Sequence, residues 1–328
     1  MNGPLCLVVN PSAGQGRALK AAAAATAALG EAGAAYQVTH SASLAHGQEL
    51  AAAAAGRGDI VVAVGGDGMA GALAGTVAEA GGTYAVIGAG RGNDFARELG
   101  MPTDPAAAAR AILAGAPRPM DLIGVGVPGQ PDVTVALCAY LGVPSIAGEI
   151  ANRARFLRGS AAYPVAALRA VAGWQPATFR VELDRDGGEA STEDGTPGSA
   201  ADGGDMAGGD VAGEYAAYAV VVANARTFGG GMQVAPPALI DDGRLEVVTL
   251  RHGPKLAFIQ ALLRIRSGTH LAMPLVSLSQ SASVTVTVDR AMPAAADGET
   301  LPGAGPLPAG APLRVRVLPR ALTVIGPR

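Results

Sequence analysis

A parallel α/β lobe followed by an antiparallel β-sandwich is the fold class predicted here, and three observations predict it. Short apolar runs without polar alternation recur through the first 125 or so residues, each ending in a turn and then a helical stretch. That rhythm calls for a parallel sheet with helices on both faces. After Asp121 the strands switch to a period of two, as in half-exposed antiparallel sheets. The glycine-rich turns cluster before that change. The expected boundaries are therefore 1–125 for the first domain and 126–318 for the second, with 319–328 free to pack back on the first.

The elements follow in order. Leu5–Val9 reads as a buried strand, and Gly16 to Leu29 as an alanine-rich helix stopped by Gly30 and Gly33. Tyr36–Thr39 is a second strand and His46–Ala55 a second helix. Asp59–Val64 is a third strand, followed by a helix over Met69–Ala80. Tyr84–Ile87 is a fourth strand; Asn93–Leu99 and Pro105–Leu113 read as helices. In the second domain Thr178–Asp184, Ser283–Asp289 and Leu313–Val317 alternate apolar and polar, with helices near Ala161–Gly173 and Pro254–Ser267. Asp186–Glu214, rich in Gly, Ser and acids, reads as a flexible insertion.

Composition excludes several classes. The net charge of -3 offers no basic field for nucleic acid. Of the residues, 49% are hydrophobic, but alanine dominates and no run is long enough to span a bilayer. The start lacks a basic leader region, and Asn10-Pro11 interrupts its apolar run, which argues against a signal peptide. Cys6 and Cys138 sit in apolar strands, so a reducing cytoplasm fits. No zinc spacing occurs among the histidines and cysteines. Lysine occurs only at Lys20 and Lys255, so an anion site must rely on arginine, backbone N–H groups or a metal.

Three glycine-rich turns end predicted parallel strands: Asn10–Gly16, Gly65–Gly71 and Gly88–Phe95. The second contains a literal G-x-G-x-x-G, but it follows the third strand and no acid ends the fourth, so a dinucleotide fingerprint is disfavoured. The Walker and nucleophile-elbow motifs are absent. Turns at the carboxyl edge of a parallel sheet bind ligands, and glycine lets the backbone approach phosphate. Asp67 and Asp94 lie in these turns, and Asp121 is expected to end the next strand. Acids beside phosphates make sense with Mg²⁺ between them. Plain tight turns, with aspartate as helix cap, are the competing reading.

In order, "NPSAGQG", "VGGDG", "GAGRGNDFARELGMP", "MDL", "FGGGMQVAPPALIDDGRLEVV", "DGE" and "LRVRVLPRALTVIGP" resemble the diacylglycerol kinase catalytic-domain family, which includes sphingosine kinases and soluble bacterial lipid kinases. The resemblance spans nearly the whole chain apart from the insertion. It implies a first domain like that of 6-phosphofructokinases and NAD kinases, a β-sandwich after it, and an active site in the cleft between. ATP and Mg²⁺ are the implied cofactors. Asn10 and Thr39 would contact nucleotide, with Gly65, Gly66, Asp67, Gly68, Met69 and Gly71 around its diphosphate, and Gly90, Arg91, Asn93 and Asp94 beside them. Asp67, Asp94 and Asp121 would be linked to the phosphates through Mg²⁺ and water. Asp242 and the Arg244 carbonyl match a second Mg²⁺ site. Asp297 and Glu299 match the acidic pair that holds the general base.

The chain departs from the family at Met69 and Arg91, which replace threonines, and at Cys138 and Val143, where the family has a polar, asparagine-containing region. The implied reaction is transfer of the γ-phosphoryl of ATP to a lipid hydroxyl such as that of diacylglycerol, with Arg91 or Arg97 adding positive charge. A soluble acceptor (NAD or a specialised metabolite) and a non-catalytic nucleotide or lipid binder stay open, as does a homodimer. Leu137–Pro144 and His252–Gly268 are candidates for contacting acyl chains. The latter carries Lys255, Arg264 and Arg266 and reads either as a helix packed on the sandwich or as one touching an anionic membrane. The protein is then expected in the cytoplasm, with peripheral contact at the inner membrane face.

Overall fold

The computed structural model describes residues 3–153, 162–184, 213–301 and 305–327. In the first lobe β1 (Leu5–Val9) lies between β2 (Tyr36–His40) and β3 (Ile60–Gly65), and β4 (Thr83–Gly88) flanks β3, all parallel. β1 and β3 are buried along their whole length, as apolar strands covered on both faces must be. The helices are α1 (Arg17–Glu31), α2 (Leu44–Gly56), α3 (Asp67–Glu79), α4 (Asp94–Glu98) and α5 (Pro105–Ala114); α1 packs on α5, and α2 on α3. Ser43 caps α2 by accepting from the His46 N–H, and Asp104 caps α5 by accepting from Ala107 ahead of Pro105.

Two local expectations fail here. α1 runs through Gly30, whose cost of about 1 kcal/mol is too small to stop a packed helix; Gly33, at φ +66°, turns the chain away. The third helix starts at Asp67, not Met69, because extended Gly66 is its N-cap.

The second lobe contains β5 (Ala116–Gly126), β6 (Val133–Val135), β7 (Cys138–Gly142), α6 (Val143–Arg153), α7 (Ala162–Gly173), β8 (Ala177–Leu183), β9 (Gly213–Ala223), β10 (Thr227–Phe228) and β11 (Met232–Gln233). Then come β12 (Leu245–Arg251), α8 (Lys255–Arg264), β13 (Val276–Ser281), β14 (Ser283–Val288), β15 (Ala294–Ala296), β16 (Glu299–Thr300) and β17 (Leu313–Gly326). Its pairings, such as β7 with β9, β8 with β14 and β12 with β13, are antiparallel. The period-two strands alternate in burial, β14 most regularly. The molecule is thus a parallel α/β lobe joined to an antiparallel β region. The insertion expected at Asp186–Glu214 lies outside the described residues except for Gly213 and Glu214, which begin β9.

Asp121 does not end its strand but sits in the middle of β5, and the stretch before it was invisible to pattern reading because Pro117 and Pro119 interrupt it. Prolines are tolerated there because that part of β5 pairs only with β17. β17 also pairs with β14 and, past a register shift between Leu318 and Leu322, runs parallel to β4 at Thr323 and Val324.

Candidate active site

The three glycine-rich turns of the first lobe touch one another at the carboxyl edge of the sheet. A Cβ on Gly90 would lie 2.5 Å from the Gly66 Cα, and one on Gly14 would lie 2.4 Å from the Ala89 carbonyl oxygen. Glycine is required at both places because the clash would be with backbone, which cannot rotate away. Asn10 shapes the first turn, its Oδ1 accepting from the Ser12 N–H at 3.0 Å while its own N–H donates to the Val64 carbonyl. In the third turn Asn93 adopts φ +55°, and its Oδ1 accepts from the Gly90 N–H at 2.7 Å. Thr39 lies on β2, its hydroxyl donating to the Leu7 carbonyl at 3.3 Å.

The second turn leads straight into α3. Ala70 donates the first helical bond to Gly66, so the N–H groups of Asp67, Gly68 and Met69 lie ahead of the bonded ladder. With the helix dipole they form an anion-binding end. Gly71 lies in the same first stretch of helix. The Met69 side chain is buried and folds back onto Gly65 and Gly47, so it takes no space in the turn. Arg91 is exposed at the rim. Beside the turns, a cavity of about 390 Å³ is lined by Arg17, Lys20, Gly88, Ala89, Gly90 and Asn93 among others.

The acids do different jobs from one another. Asp67 accepts from the Asn93 N–H at 2.7 Å and the Phe95 N–H at 3.2 Å, tying the second turn to the third. Burial pushes its carboxyl above the usual range and neighbouring Asp94 adds to this, against the lowering effect of those N–H bonds. Asp94 is buried and accepts from Arg97 and from the N–H groups of Gly230 and Gly231, at 2.6 and 2.7 Å. It therefore pins the first lobe to the glycine loop between β10 and β11. Asp121 is buried and accepts from the Gly243 and Arg320 N–H groups, both at 2.6 Å, clamping β5 to β17 and to the turn after Ile240. Of the expected trio, Asp67 and Asp94 lie side by side, their Oδ2 atoms 2.6 and 3.2 Å from where a Cβ on Gly92 would stand, while Asp121 is engaged at β17; among the described residues no group of three or more His, Cys, Asp or Glu could hold a metal. Asp242, exposed, accepts from the Arg244 N–H in its own turn and from Gln280, and its charge helps burial raise the carboxyl of Glu246.

From the second lobe, the hairpin between β15 and β16 reaches the first turn of α3. Asp297 and Gly298 have φ of +46° and +89°, a two-residue turn for which Asp-Gly is suited. A Cβ on Gly71 would meet Asp297 Oδ2 at 2.9 Å, and one on Gly68 would meet Glu299 Oε1 at 3.3 Å. The two acids then diverge. Asp297 accepts from the N–H groups of Ala136 (2.7 Å), Leu137 and Cys138 (both 2.9 Å), which occupies both its oxygens. Burial raises its carboxyl, and those three N–H groups partly offset the shift. Glu299 is exposed beside Gly68.

Sequence reading missed Asn224. This buried residue donates from Nδ2 to the carbonyls of Asp121 and Ala136, at 2.8 and 3.0 Å, and from its backbone to Leu137. It holds the strand segment that grips Asp297. A buried asparagine in an otherwise apolar run, "VVVANA", is the signal that could have found it. Of Leu137–Pro144, expected as a candidate for contacting acyl chains, Leu137 to Val143 are buried and only Pro144 is half-exposed.

The acidic hairpin of one lobe thus meets the helix end behind the glycine turns of the other, and the chain belongs to the diacylglycerol kinase family. The diacylglycerol kinase catalytic domain matches residues 4–125, and the YegS C-terminal NAD kinase beta sandwich-like domain matches residues 138–326. The chain is 31% identical over 332 residues to a diacylglycerol kinase of Mycobacterium tuberculosis, covering 99% of this chain and 96% of that one. A diacylglycerol kinase of Bacillus subtilis is 26% identical, with 75% and 73% covered. In fold it is similar to the crystal structure of a diacylglycerol kinase from Bacillus anthracis, with a TM-score of 0.64 at 18% identity, covering 98% and 96% of the two chains.

Proposed function

We propose that the protein is a lipid kinase that moves the γ-phosphoryl group of ATP to the hydroxyl of a diacylglycerol-like acceptor, with Glu299 as general base and Asp297 as its positioning residue. The observation that carries this is the meeting of the β15–β16 hairpin with the first turn of α3, where a carboxylate faces an anion-binding helix end. Phosphoryl transfer asks a protein for placement and charge more than for covalent chemistry. The N–H groups of Asp67, Gly68 and Met69 hold the phosphates, and the tight contact of Gly66 with Gly90 keeps side chains out of their way. Arg91, at the rim, offers a guanidinium where a threonine hydroxyl is missing.

Mg²⁺ accompanying the nucleotide would draw most of its shell from phosphate and water and needs only one or two carboxylates; Asp67 would be one because it opens the helix end that faces the phosphates, each of its oxygens accepting a single backbone N–H and keeping a second lone pair. When bound, the ion neutralises phosphate charge. Asp94 holds the first lobe to the β10–β11 loop, and Asp121 holds β5 to β17 and to the turn after Ile240. Asp242 and the turn to Arg244 fit the second, structural cation position. Glu299 accepts the proton of the acceptor hydroxyl, a contribution typically worth about 10²–10⁴-fold. A second cavity, about 440 Å³ and lined in part by Ile146, Ile150, Trp174 and Met292, opens beside the strand leading into Asp297 and offers room for an acyl chain.

The test is Mg²⁺-dependent transfer of labelled γ-phosphate from ATP to diacylglycerol. Glu299→Gln is expected to lose about 10²–10⁴-fold in kcat with an unchanged Tm. Asp297→Asn is expected to lose activity and Tm together, because an amide cannot accept from three N–H donors; each charge-assisted bond is worth about 1.5–3 kcal/mol. Wild-type activity in Glu299→Gln sinks the base assignment. ATP binding without transfer to any lipid sinks the lipid-kinase reading.

A further inference from the structure

We infer that α8 is a docking element that seats the protein on an anionic lipid bilayer, an inference that rests on the reading of the acceptor as a lipid. The helix buries Phe258 and Ala261 against the sandwich, and Phe258 packs on Tyr218 at 4.9 Å between ring centroids. That face meets its packing needs. The opposite face carries exposed Gln260 and two leucines. Leu256 and Leu263 are 65% and 75% exposed, the two most exposed large apolar residues among those described. Seven residues apart, they lie two turns along one face.

Charge selects the occupant. The segment from His252 to His270 contains Lys255, Arg264 and Arg266 and no acidic residue, in a chain of net charge -3. Isolated exposed leucines are ordinary, but a pair on one helix face, in a segment whose charged residues are all cations, matches the pattern of helices that lie in an anionic interface. A second copy of the chain fits less well: antiparallel two-fold pairing through α8 would bring Arg264 against the mate's Lys255, with no acidic residue in the segment to offset either. The neighbouring helix continues the surface. Lys255 Nζ donates to the Ala172 carbonyl at 2.7 Å, fixing the start of α8 beside the end of α7, where Leu168 is 49% exposed. Tyr218, under Phe258, also packs on Trp174, which lines the larger cavity. Docking through α8 therefore brings that cavity close to the bilayer from which an acyl chain would enter.

The experiment is flotation with vesicles of phosphatidylcholine alone or mixed with phosphatidylglycerol. Wild type is expected to bind the mixed vesicles and to release in high salt. Leu256→Ser/Leu263→Ser should bind them at least tenfold more weakly, and Arg264→Gln/Arg266→Gln should lose the preference for anionic lipid. Failure of wild type to bind, or binding by the leucine variant equal to wild type, overturns the proposal. So does a leucine variant that turns a dimer into a monomer in sedimentation while still floating with vesicles. Transfer to a short-chain diacylglycerol dissolved as monomers separates the two readings. Equal turnover there by wild type and the leucine variant supports the kinase reading whatever flotation gives; no turnover by wild type removes that reading and leaves the flotation result intact.

Discussion

At the scale of residues, the site is organised by carboxylates that accept backbone N–H groups. Asp94, Asp121 and Asp297 each hold two or three donors from a distant segment. Such bonds cost nothing in side-chain partners but fail on any change of shape or charge. His270 offers a separate test. It is buried, its Nε2 lies 3.0 Å from the Val234 carbonyl, and burial pushes its pKa below the ordinary value of about 6.5 in spite of that bond. Above about pH 6.5 neither the folded nor the unfolded chain carries the proton. As the pH falls below that value the unfolded chain takes up a proton that the folded one resists, so stability drops. The difference in Tm between pH 7.5 and pH 5.5 should therefore shrink in His270→Gln, a comparison that thermal melts make directly. An unchanged difference would place the acid sensitivity elsewhere.

At the scale of elements, the decisive contacts are between turns. Gly90→Ala would drive a methyl group into the Gly66 Cα, and no rotamer relieves it. The expected cost is about 1–3 kcal/mol of stability, with a loss of nucleotide affinity greater than tenfold, checked by chemical denaturation and by calorimetric titration with ATP. Retained affinity would mean that the two turns need not touch. Much of this level was legible in the sequence. The buried strands of the first lobe read as apolar runs, and the glycine turns were found at their carboxyl ends. Their mutual contact was not legible, since it depends on which backbones come within a methyl group of each other. Nor was the first half of β5, because prolines mask a strand that has a partner on one side only. The roles of the acids were the least legible: a carboxylate in a turn reads the same whether it faces a cation or a distant N–H.

At the scale of the molecule, the two lobes are sewn together. Asp94 reaches the β10–β11 loop, Asp297 grips Ala136–Cys138 and lies against α3, and β17 is hydrogen-bonded to strands of both family-matched regions. Scanning calorimetry should accordingly give one unfolding transition with a calorimetric enthalpy equal to the van't Hoff value. Asp94→Ala should broaden or split it by freeing the glycine loop. Two separate transitions in wild type would show that the lobes fold independently. The shared strand also has a consequence in time. Thr323 pairs with Thr83, and Val324 with Tyr84, so the edge of β4 waits for a partner emerging some 240 residues later. Until then the nascent chain carries an open sheet edge lined by buried-type side chains, the surface on which strand-to-strand aggregation begins. At ordinary synthesis rates of about 5–20 residues per second that interval is on the order of ten seconds or longer. The first lobe, which supplies the nucleotide site, is thus the earlier part to be made and among the last to be closed.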